Sequence, residues 1–83
     1  MYKIQVTRQA MKDLADLPED YAQAISQHID ALAEQPRPAG VKKLQGVEGF
    51  RLRVGMYRLL YTIDDAARLV MVYRIKHRRE AYR

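Results

Sequence analysis

Residues 49 to 61 read GFRLRVGMYRLLY, and no other stretch restricts the possible folds of the chain so tightly. Phe50, Leu52 and Val54 alternate with Arg51 and Arg53. Beyond Gly55 and Met56, Tyr57, Leu59 and Tyr61 alternate around Arg58. A period of two belongs to a strand with one buried face, and a glycine leading a two-residue turn favours type II′. The expected hairpin pairs Val54 with Tyr57, Arg53 with Arg58, Leu52 with Leu59 and Arg51 with Leu60. Six apolar side chains then share the core face, and Arg51, Arg53 and Arg58 share the solvent face. Like charges directly opposite one another destabilise a sheet. The pattern makes sense if negative charge arrives with a ligand, and phosphate suits the guanidinium fork.

The remaining elements follow from the same periodicities. Tyr2, Ile4 and Val6 alternate with polar residues as a short strand. Thr7 is a good N-cap for a helix with Ala10, Met11, Leu14 and Leu17 on one side. Pro18 ends it and opens a second helix, where Glu19 and Asp20 favour the positive end of the dipole. Its apolar stripe is Tyr21, Ile25, Ile29 and Leu32, with Ala24 and Ala33 beside it and His28 at the rim. The linker is short enough to require an αα-hairpin. The segment from Pro36 to Gly49 is expected to be one long connection. Asp64 and Asp65 read as turn chemistry. The run LVMVYRI, Leu69 to Ile75, suggests a central strand covered on both faces. The order β-α-α-β-β-β implies an α+β fold, a small, mainly antiparallel sheet with the helical hairpin packed on one face, in one domain over residues 1–83.

Charge is divided unevenly. Residues 1–35 hold three basic and six acidic side chains, a net −3, whereas residues 36–83 hold twelve and four, a net +8. Such asymmetry points to a polyanionic partner, most often nucleic acid. Arg74, Lys76, Arg78 and Arg79, with His77 and Tyr82 among them, leave the end of the last strand beside the hairpin. Lys42 and Lys43 approach the same basin from the connection. The absence of cysteine excludes a disulfide framework, a thiolate zinc site and a cysteine nucleophile. With no membrane-length apolar run and no h-region in MYKIQVTRQ, a soluble cytoplasmic protein is expected.

Taken together, VKKLQGVEGFRLRVGMYRLLYTID and YRIKHRREAYR resemble the RelE/ParE superfamily of type II toxins, and within it the RelE-like branch. The similarity spans essentially the whole chain. It implies an endoribonuclease that cuts mRNA in the ribosomal A site, needs no metal or other cofactor, and is neutralised by a RelB-like antitoxin in a hetero-oligomer. By motif, the basic pair of the family falls on Arg51 and Arg53, where relatives often carry lysine. The following arginine falls on Arg58, and the C-terminal arginine and tyrosine on Arg78 and Tyr82. Lys42, Lys43, Arg74, Lys76 and Arg79 are then candidate phosphate contacts.

Metal-free cleavage can use the substrate's 2′-hydroxyl as nucleophile, with cations for the phosphorane charge and groups to move protons. Arginine serves the charge well but cannot take the proton, since its pKa lies above about 12. Tyr82 or His77 remains, and the motif match favours Tyr82. The superfamily also contains ParE-like toxins, which act on DNA gyrase without nuclease activity. A non-catalytic nucleic-acid binder is the third reading.

Overall fold

The computed structural model describes residues 1–78. Arg79 and Tyr82, two of the sequence-derived site residues, lie outside the described residues. The elements run β1 (Lys3–Val6), α1 (Arg8–Ala15), α2 (Glu19–Ala31), β2 (Lys42–Lys43), β3 (Phe50–Val54), β4 (Tyr57–Asp64) and β5 (Leu69–His77). They form one sheet in the order β1-β5-β4-β3-β2, antiparallel except where β1 pairs with β5.

The hairpin has the expected register, with Arg53 opposite Arg58 and Val54 opposite Tyr57. Gly55 has φ +60, while Met56 keeps a negative φ, the combination a type II′ turn requires. The connection from Pro36 to Gly49 departs from expectation by containing β2, whose Lys42 and Lys43 pair with Arg51 and Phe50. Two lysines carry no apolar alternation, so only pairing with β3 makes them a strand. This segment is anchored at its start. The buried Tyr61 hydroxyl donates to the Pro36 carbonyl at 2.8 Å, and burial pushes that phenol up to about 12.

The last strand corrects a second expectation. It is interior, flanked by β1 and β4, but the helices cover one face only, and Leu69 and Met71 are half-buried on the other. A β-bulge accounts for the far half of the run, while Leu69 and Met71 are apolar side chains on the helix-free face. Leu60 pairs with Arg74 while Tyr61 pairs with Val72, leaving Tyr73 as an extra residue. The inward parity switches there, so Val70, Val72 and Ile75 are all buried in the core.

Thr7 caps α1 by accepting from the Ala10 N–H, and its own N–H donates to the Val72 carbonyl at 2.9 Å. The helix thus continues along the edge of β5 where β1 stops. Ala10 is fully buried, but Met11, expected in the same stripe, is 60% exposed. Eight residues against a sheet edge bury a narrower stripe than the sequence suggested. Ile25 and Ile29 of α2 and its C-cap residue Leu32 pack into the core with Leu52, Leu59 and Tyr61. Asp64 does serve its turn, accepting from the Ala67 N–H. Asp65 does more: it receives both Arg37 amino groups, at 3.2 and 2.9 Å, and the Tyr2 hydroxyl at 2.6 Å. The Arg37 fork, then the Tyr2 hydroxyl, hold its carboxyl below the ordinary range.

Candidate nucleic-acid interface

The register sorts the charged side chains of the sheet into rows on the face away from the helices. Arg53 on β3, Arg58 on β4 and Lys76 on β5 are consecutive cross-strand partners, so three cations stand in line. One step along the strands, Lys42 and Arg51 are partners on β2 and β3, followed by Leu60 and Arg74. The two rows are two residues apart, about 7 Å along the strand. A shallow concavity of about 320 Å³ opens among them, lined by Ala39, Gly40, Lys42, Arg51, Leu52, Arg53 and Arg58. The sequence placed Arg58 on a solvent face; its face is as expected, but the side chain is only 2% exposed. A guanidinium taken out of water acts more strongly on a nearby charge than one at the surface.

Not every predicted cation joins this group. Lys43 pairs with Phe50 and therefore takes the opposite face of β2 from Lys42. Arg74 is committed elsewhere: its Nε lies 2.9 Å from the Asp13 carboxylate of α1. That carboxylate also accepts from the Ile75 N–H at 3.0 Å. Burial by itself would raise the Asp13 pKa, but the Ile75, Gln9 and Arg74 donors together hold it below the usual carboxylate value. Arg78 is exposed, and its N–H donates to the Met56 carbonyl at 2.7 Å, which brings it to the hairpin turn.

His77 is cross-strand partner to Tyr57, a core-face position, and the two rings meet edge to face with centroids 5.4 Å apart. Tyr57 in turn meets Tyr21 of α2 at 5.2 Å. His77 thus lines a groove with Asp13, Asp16 and Leu17 on the helix side of the sheet. The rows of arginines occupy the other side.

Sequence reasoning passed over Tyr73. The bulge turns its ring onto the helix-free face, where a Cβ on Gly49 would lie 3.4 Å from its hydroxyl. Gly49 itself has φ +138 and stands close to the Tyr61 carbonyl, so a side chain there is both strained and obstructed. Burial pushes the Tyr73 phenol up, keeping it neutral at ordinary pH. No pattern visible in the sequence separates this tyrosine from its apolar neighbours.

The family model for the ParE toxin of the type II toxin–antitoxin system, parDE, matches residues 4–82. The chain belongs to this toxin family. Among members of the superfamily, toxin RelG of Mycobacterium tuberculosis is 34% identical over 84 residues, covering 99% of this chain and 97% of RelG. Toxin RelE of the same organism is 33% identical over 84 residues, with 99% and 87% covered. In structure, the M. tuberculosis RelBE2 toxin–antitoxin complex contains a chain that superposes with TM-score 0.84 at 34% identity, covering 93% of this chain and 98% of that one. The archaeal RelE–RelB complex of Pyrococcus horikoshii gives 0.83 at 26% identity, with 93% and 94% covered. This type II toxin is therefore RelE-like in sequence and in fold.

Proposed function

We propose that this toxin is an endoribonuclease that cuts mRNA in the ribosomal A site, and that a cognate antitoxin neutralises it. The observation that carries the reading is the in-register row of Arg53, Arg58 and Lys76, beside Lys42 and Arg51. Three cations in register across adjacent strands favour the approach of an anion. A phosphodiester supplies that anion.

The substrate's 2′-hydroxyl attacks the adjacent phosphorus as its proton passes to a base, the 5′-oxygen leaves and takes a proton from water, and a 2′,3′-cyclic phosphate and a 5′-hydroxyl result. Charge on the phosphorane oxygens is greatest in the transition state, where pre-placed guanidinium groups act most strongly. Arg58 is the fixed cation of this set, with Arg53, Arg51 and Lys76 around it and Arg78 entering from the turn. The 2′-proton goes to the phenolate form of Tyr82, the residue at the family's motif position, and the helix-side place of His77 favours this choice. An antitoxin partner agrees with the RelE–RelB and RelBE complexes among the structural neighbours, and the basic face is the surface offered to it here. The antitoxin's acidic groups are steered there by the net +8 of residues 36–83.

A second reading is supported by the matching family model, which is that of ParE: inhibition of DNA gyrase by binding alone. Sequencing transcripts after brief induction without antitoxin separates the two. Cuts within translated codons are the expected result. A DNA-damage response with intact transcripts would overturn the nuclease reading in favour of gyrase.

A further inference from the structure

We infer that Tyr73 is a stacking platform for a base flanking the cut, an inference that rests on the nuclease reading above. The bulge leaves Tyr73 without a cross-strand partner and aims it over the helix-free face. Its hydroxyl reaches the margin of β3 at Gly49, two strands away from its own backbone. Strands are about 4.8 Å apart, so the ring must lie down across β4 to arrive there. A ring lying flat on a sheet has one face packed and the other turned outward, and Tyr73 is indeed half-buried.

Its neighbours define what can land on it. On one side are the cation rows of Arg53, Arg58 and Arg51. On the other, Glu48 and Asp64 border a separate concavity of about 480 Å³ with Thr62 and Met71, where Asp65 is already paired with Arg37. A phosphate is attracted to the first side and repelled from the second. An RNA strand held by its phosphates on the cation rows can therefore present only an uncharged part toward Tyr73. The base is that part, and every base has a π-face to offer an aromatic ring whatever its identity. The neutral phenol fits this role and not that of a proton acceptor.

The test uses ribosomes programmed with mRNA that is intact or carries one abasic nucleotide on either side of the cut. Single-turnover cutting by wild-type toxin should fall at least about fivefold at one of the two abasic positions, the lower end of what stacking on an aromatic side chain contributes. Tyr73→Leu should slow cutting of intact mRNA by a similar factor and then be indifferent to the abasic site. Tyr73→Phe should cut as wild type does. If Tyr73→Leu cuts intact mRNA at the wild-type rate, or if the two losses multiply, the stacking role is overturned while the nuclease reading stands. If Tyr73→Leu does not fold, wild-type toxin is added to mRNA blocked by a 2′-O-methyl group at the cut and carrying 2-aminopurine beside it. Quenching of that base supports stacking, and unchanged fluorescence at both flanks overturns it. A wild-type toxin that leaves intact programmed mRNA uncut overturns both readings together.

Discussion

Arg53 and Arg58 face each other across the β3–β4 ladder, and the row continues to Lys76 on β5. A sheet does not gain stability from such a row. Like-charged cross-strand pairs are unfavourable by a few tenths to about 1 kcal/mol. Arg53, the exposed member, can be exchanged for a residue that suits a strand and carries no charge. Arg53→Thr is expected to raise unfolding free energy by roughly 0.2–1 kcal/mol in urea denaturation. The same change should weaken toxicity in cells lacking antitoxin. A variant losing stability and toxicity together would show that Arg53 packs rather than waits for an anion.

Arg58 is the harder case because it is buried. Arg58→Ala removes charge and volume at once, so loss of toxicity alone would be ambiguous. Arg58→Met keeps most of the volume with an unbranched, adaptable side chain. Both variants are expected to be non-toxic, and Arg58→Met should keep a cooperative melt. Full toxicity of either on expression without antitoxin would remove Arg58 from the site.

Asp13 ties α1 to β5 through the Ile75 N–H and the Arg74 guanidinium. Asp13→Ala should cost about 1.5–3 kcal/mol, the range for hydrogen bonds to a charged group. Because the folded-state pKa is depressed, the stabilisation is complete above the ordinary carboxylate value of 3.8 and disappears as pH falls through the lower, folded value. Denaturation midpoints measured from pH 6 downward should therefore converge for wild type and Asp13→Ala in acid. Parallel curves over the whole range would contradict the assignment.

These residues also show where the sequence was legible. The hairpin could be read residue by residue because strict alternation and a Gly-Met turn permit a single register. The N-cap at Thr7 was legible for a similar reason, since the side chain's bond to the Ala10 N–H is local. The bulge was not. A shift of parity inside Leu69–Ile75 looks the same in sequence as a strand buried on both faces, and only the partner strand distinguishes them. The Asp13–Arg74 and Asp65–Arg37 pairs were hidden for another reason: each joins residues far apart in sequence, at positions where an acid is ordinary for a solvated helix or a turn. Within the candidate site, the arginine face was readable. The separation of Lys43, Arg74 and His77 from it needed the sheet.

In the proposed reaction the 2′-proton goes to Tyr82, with His77 as its rival, and the two can be separated experimentally. His77 stands on the helix side, opposite Tyr57, with its ring edge to face against that tyrosine. A base must come within hydrogen-bond reach of the proton it removes, and the cations that would hold the phosphate lie on the other face. His77→Gln should therefore leave single-turnover cutting on programmed ribosomes within about threefold of wild type, well below the effect of losing a general base. Tyr82→Phe removes a hydroxyl and keeps the ring, so it tests proton transfer without disturbing any stacking. It should slow the same step at least about a hundredfold. If His77→Gln proves the more damaging change, the proton goes to His77, and the strand end must rearrange on the ribosome to bring it there.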